Sequence, residues 1–230
     1  MKRITAIAGH YGSGKTEFSV NLALDLKKEK DKVAILDMDI ANPYFRSRER
    51  QKMMESEGIN VIFNTYGFDI TEDLPAITAA LRGPLENEEF TAVVDVGGND
   101  SGARVLKQFE KYFRRDDCEL LCVLNANRPE TDTVEGMLEH LHSIEIETGL
   151  KFHGVINNTH LLRETTADDI VKGYKLCRQV SDKLGIPIVW NTCHEDLLGD
   201  LKQLIADENI EGLENIYPIK LYMRPSWLDR

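Results

Sequence analysis

No apolar run in this 230-residue chain approaches the roughly 20 residues needed to cross a bilayer. The short apolar stretch after Met1-Lys2-Arg3 is also too brief for a secretory signal, so a cytoplasmic location is expected. Cysteine is scarce: Cys118, Cys122, Cys177 and Cys193 are too scattered for a disulfide scaffold. Cys118 and Cys122 share one face of an apparent strand and read as buried thiols. Basic charge is outnumbered, 28 Lys and Arg against 39 Asp and Glu, and the net charge of -11 argues against general nucleic-acid binding. The six histidines lack ligand spacing, and His140 and His142 are expected at the surface. No internal repeat, low-complexity tract or Pro/Gly/Ser-rich linker interrupts the chain, so residues 1–230 read as one domain.

Short apolar runs bounded by turn residues alternate with longer stretches of helical period, the pattern of a mostly parallel sheet covered on both faces. The expected strands are Ile4–Ala8, Val33–Asp37, Val61–Phe63, Ala92–Val96, Leu120–Leu124, Val155–Asn157 and Ile188–Trp190. Helices are expected from Gly14 to about Lys28, Gly102 to Phe113, Pro129 to about Glu147 and Ala167 to Leu184, the last opened by a capping box of Thr166 and Asp169. The fold class is therefore a three-layer α/β/α sandwich of about seven strands, closed by a packed but irregular tail over about 216–230.

The most specific stretch is Gly9-His10-Tyr11-Gly12-Ser13-Gly14-Lys15-Thr16-Glu17, directly after the first expected strand. It has the spacing of a phosphate-binding loop, in which glycines let backbone N–H groups converge on phosphates, Lys15 adds positive charge and the Thr16 hydroxyl can ligate Mg²⁺. A helix starting there turns its positive end toward the same anion. Two further strands end in carboxylates, Asp37-Met38-Asp39 and Asp95-Val96-Gly97-Gly98. Such aspartates can cap turns, but three features at the carboxyl ends of strands in one sheet suit a ligand edge, with Asp95 near a metal-bound water and the Gly98 N–H near a γ-phosphate.

These motifs, with Asn127-Arg128-Pro129-Glu130 and Gly154-Val155-Ile156-Asn157, resemble the MinD/ParA/Mrp-like ATPases of the SIMIBI class of P-loop proteins, relatives of the nitrogenase iron protein. The resemblance implies that Lys15 binds phosphates, Thr16 holds Mg²⁺, Asp39 positions the attacking water and lies by the metal, and Asp95 supports the metal's water shell. It also implies that Asn157 contacts the base, although Asn at a strand end also bonds within its own loop. The guanine-reading Asn-Lys-x-Asp pattern is missing at Asn157-Asn158-Thr159-His160, which favours ATP over GTP.

The loop departs from the family in one respect: dimeric members carry a second lysine and a glycine early in it, where this chain has His10 and Tyr11, and Arg46, Arg48 or Arg128 are candidate replacements for that lysine. The leading expectation is a Mg²⁺-dependent ATPase that switches between ATP and ADP forms to engage a protein client, with a homodimer as one arrangement. The alternative is an ATP-dependent small-molecule enzyme resembling dethiobiotin or cobyrinate synthetases, a ligase or a kinase. A close-spaced cysteine pair for a metal cluster is missing, and Arg224-Pro225-Ser226-Trp227 supplies no basic amphipathic helix for a membrane surface.

Overall fold

A computed structural model of the chain describes residues 1–39, 50–63, 74–98 and 100–223. Arg46, Arg48 and the rest of the 41–49 segment lie outside the described residues, as does Trp227.

Eight strands form one sheet: β1 (Ile4–Ala8), β2 (Val33–Met38), β3 (Asn60–Phe63), β4 (Thr91–Val96), β5 (Cys118–Leu124), β6 (Gly154–Asn157), β7 (Ile188–His194) and β8 (Ile216–Ile219). Their order is β3-β2-β4-β1-β5-β6-β7-β8, and every pairing is parallel. Strands β1 and β2 are buried at every residue, as a sheet covered on both faces requires. Ile4, Ala6 and Ala8 pack into one apolar layer while Ile7 packs into the other, following the two-residue period of a strand.

Helices α1 (Lys15–Glu29) and α2 (Gln51–Ser56) supply Phe18, Leu22 and Met54 to one layer. The opposite layer takes Leu81 and Leu85 from α3 (Leu74–Glu86), Leu106 from α4 (Asp100–Gln108), Tyr112 and Phe113 from α5 (Glu110–Phe113), Met137 from α6 (Val134–Thr148) and Cys177 and Val180 from α7 (Ala167–Leu184). Helix α8 (Leu198–Asp207) adds Leu201 to a smaller cluster with Ile170 and Tyr174. All four cysteines are free and buried. No helix among the described residues is long and apolar enough to cross a membrane.

Several local features differ from the sequence reading. The helix expected over Gly102 to Phe113 breaks at Phe109, which caps α5. Pro129–Thr131 is a separate 3-10 turn, because the Thr133 side chain accepts from the Gly136 N–H at 3.1 Å and starts α6 there. The tail expected to be irregular contains β8, where the exposed Pro218 is tolerated because an edge strand has one partner only. By contrast α7 spans the expected residues and opens with the capping box of Thr166 and Asp169.

Candidate active site

Strand β1 sits where the sheet order reverses: the chain runs to β2 on one side of it and returns through β5 on the other. A ligand crevice forms at the carboxyl end of such a point. The loop from Gly9 to Gly14 occupies that crevice, and the left-handed backbone at Gly12 (φ 74°) and Gly14 (φ 85°) lets it curl before α1 begins. Two of its carbonyls are satisfied from outside the loop. The Arg128 Nε–H donates to the Gly12 carbonyl at 3.0 Å and the Asn158 amide to the Ser13 carbonyl at 2.7 Å. Asn125 braces the same wall, donating to the Gly12 and His160 carbonyls at 3.4 and 3.3 Å. The Gly12 and Ser13 carbonyls are thus held away from an anion bound at the loop, while the Ser13 N–H is turned to the His10 carbonyl at 3.0 Å.

Lys15 and Asp39 meet at 3.2 Å with side chains 5% and 2% exposed. The Asp39 N–H donates to the Asp37 carboxylate at 3.0 Å, and β2 and β4 pair in register so that Asp37 lies opposite Asp95. Asp95 is fully buried, and burial pushes its carboxyl up to about 8 against the opposing pull of the Lys15 charge. Neither Asp95 oxygen has a hydrogen-bond partner of normal geometry, although the Thr16 hydroxyl is near enough to favour its charged form.

This donor set contains only hard oxygens, Thr16, Asp37, Asp39 and Asp95, which is the chemistry Mg²⁺ takes. No group of three or more His, Cys, Asp or Glu among the described residues is arranged to hold a metal ion by itself. The residues therefore fit a cation shared with phosphate oxygens and water better than one enclosed by protein.

Beside the loop lies a cavity of about 280 Å³. Its polar side is formed by Arg128, Asn158, Thr159 and His160, and its apolar side by Ile170, Ile219, Leu221 and Met223. Burial and the nearby Arg128 charge hold His160 down to about 4, so its imidazole is neutral at physiological pH.

Most candidates come together here. Gly9 through Thr16 form the loop, and Gly98 packs under it: a methyl at Gly98 would lie 2.3 Å from the Gly9 carbonyl oxygen. Four residues differ from expectation. Asn157 is fully buried below the cavity, donating to the Ile170 carbonyl and Asn191 at 3.0 Å and accepting from Thr159 at 2.8 Å, so its amide is committed to the interior. The Glu17 carboxylate, although on the cavity wall, accepts from the backbone amides of Tyr222 and Met223. His10 folds back, its Nδ1 3.1 Å from the Tyr11 carbonyl oxygen and its ring edge-on to His140 at 5.4 Å between centroids. His140, expected at the surface, is half-buried by that contact. Asn158 and the 219–223 segment escaped the sequence reading. Asn158 adjoins Asn157, whereas the sequence marks Leu221 only as an apolar residue of a packed tail.

Residues 4–188 match the family model of the CobQ/CobB/MinD/ParA nucleotide binding domain. No curated protein matches the chain. Among solved structures, chloroplast FtsY from Physcomitrella patens is similar at TM-score 0.55 and 21% identity, over 82% of this chain and 57% of that one. The cell division protein FtsY of Thermotoga maritima is similar at 0.54 and 23%, over 80% and 59%. The signal recognition particle receptor FtsY of Elizabethkingia anophelis, solved in complex with GDP, is similar at 0.51 and 17%, over 82% and 56%. The chain thus spans less than two thirds of the length of those proteins, and the likeness is one of fold. A phosphate loop at the reversal of a parallel sheet, together with a family match over residues 4–188, shows that the chain belongs to the CobQ/CobB/MinD/ParA nucleotide-binding family, in the SIMIBI class of P-loop proteins.

Proposed function

We propose that this protein binds ATP with Mg²⁺ and hydrolyses it, using the exchange of ATP for ADP to control its hold on a protein client. The observation that carries this reading is the buried Lys15–Asp39 contact beside Thr16 and Asp95 at the mouth of the phosphate loop. Phosphoryl transfer asks for positioning and charge stabilisation, and these residues supply both. Lys15 and the loop amides hold the phosphates, Asp39 orients the attacking water, and Asp95 with Thr16 holds the water shell and the cation. Mg²⁺ held there by Thr16 and Asp95 would neutralise phosphate charge.

ATP is favoured over GTP by the cavity lining. Guanine presents adjacent N–H donors that a carboxylate accepts well, and the one carboxylate lining this cavity among the described residues, Glu17, is engaged by backbone amides. His10 supports a second reading, an ATP-dependent ligase or kinase acting on a small molecule, because its ring is turned against His140 instead of reaching out of the subunit. Turnover separates the two. The switch reading expects ATP hydrolysis without added substrate and a change in association or compactness between ADP and a non-hydrolysable ATP analogue. Turnover that appears only with a small carboxylate or amine, without any such change, would replace it by the second. Within the first reading, Asp39→Ala is expected to lower turnover about a hundredfold while ATP affinity stays within about threefold. Turnover at the wild-type rate would remove Asp39 from the chemistry.

A further inference from the structure

Helix α1 does more than present its N-terminus to phosphate. Glu17, Asn21 and Asp25 recur every four residues and so share one face of the helix. All three hold the segment that follows β7 and α8. Glu17 accepts from the Tyr222 amide and, at 3.1 Å, from the Met223 amide. Asn21 pairs with Lys220 in both directions, donating to its carbonyl at 2.9 Å and accepting from its N–H at 2.9 Å. Asp25 accepts from the Tyr217 hydroxyl. The segment held this way is β8 and the residues just after it, and its Ile219, Leu221 and Met223 line the apolar side of the cavity beside the phosphate loop.

We infer that Glu17 and Asn21 are positioning residues for base recognition, latching the Ile219–Leu221–Met223 wall against the purine of the bound nucleotide. This rests on the proposal that the loop binds a nucleoside triphosphate, and it assigns the base end of that ligand to a strap carried by the helix that binds its phosphate end. Asn21 is buried and Glu17 half-buried, and both side chains bond to backbone groups of the strap. Their bonds to the backbone of Lys220, Tyr222 and Met223 fix where the strap lies along α1.

The test compares a ligand that has a base with one that has none, using calorimetry with Mg²⁺·ATP and with inorganic tripolyphosphate. Glu17→Ala and Asn21→Ala are each expected to weaken ATP about tenfold, through the loss of their half-buried hydrogen bonds to the strap. Tripolyphosphate should stay within about twofold, because it touches the loop alone. Glu17→Gln, which keeps one acceptor oxygen, should recover part of the ATP affinity. Leu221→Ala trims the wall without touching the latch and should weaken ATP about fivefold with tripolyphosphate unmoved, which keeps the test open if a latch variant does not fold. Equal losses for both ligands in the latch variants, or ATP affinity unmoved in the latch and Leu221 variants, would overturn the inference. A wild-type protein that binds neither ligand would instead overturn the nucleotide reading beneath it.

Discussion

Replacing Gly98 by alanine puts a methyl group where there was a hydrogen, yet it should disable the phosphate loop. The new methyl would lie 2.3 Å from the Gly9 carbonyl oxygen and 3.0 Å from both the His10 carbonyl carbon and the Tyr11 nitrogen. These are backbone atoms and cannot swing aside as a side chain would. Gly9 is also backed on its far side, since a methyl there would meet the Val123 carbonyl oxygen at 2.5 Å. The loop is therefore held between Gly98 and β5, and relief of the contact requires a shift of about 1 Å in its backbone. Displacement on that scale costs about a hundredfold where groups must converge on a ligand, and overpacking costs about 1–3 kcal/mol of stability. Calorimetry with Mg²⁺·ATP should show an affinity loss of about two orders of magnitude, with a fall in Tm of about 2–10 °C. Gly83→Ala is the control. A methyl at Gly83 meets nothing within 4 Å, and on α3 it should raise stability slightly with ATP binding unchanged. If Gly98→Ala binds ATP as well as the wild type, the close packing beneath the loop has no bearing on phosphate recognition and the reasoning fails.

Two further outcomes follow from buried polar groups near the cavity. Asn157→Ala should cost about 3 kcal/mol of stability in chemical denaturation, because it strands Asn191 and Thr159, whereas the folded variant should bind ATP within about threefold of wild type; a selective loss of ATP with stability intact would restore Asn157 to the base site. His160 is held down to about 4 in the folded state, below its ordinary 6.5, so the unfolded chain binds more protons between those values. Its share of stability is thus present above about pH 6.5 and lost as pH falls toward 4, and His160→Gln should lessen the drop in stability between pH 7 and pH 5; an unchanged drop would contradict a buried neutral imidazole.

The phosphate loop and its setting were legible because they are local. Gly9 to Thr16 carries its chemistry in eight consecutive residues, and the apolar Ile4–Ala8 before it can form only a buried strand in that context. The capping box of Thr166 and Asp169 was readable for the same reason. Partnerships across the chain were not. Glu17 lies in the first turn after the loop, where a ligand contact is the natural expectation, yet its partners are about 205 residues away. Asn157 and Asn158 are neighbours at the end of β6, and consecutive strand residues face opposite ways, so which one borders the cavity depends on a register that the sequence does not print. Pro218 argued for irregular chain, and only the position of β8 at the sheet edge makes a proline acceptable there.

The central claim is that Lys15, paired with Asp39 beside the loop, holds the phosphates of ATP. Titration calorimetry of the wild type and Lys15→Ala with Mg²⁺·ATP tests it most directly. The expected result is saturable binding by the wild type and affinity weakened at least tenfold, about 1.4 kcal/mol or more, in a variant that remains folded. Equal affinity in the two proteins would contradict it.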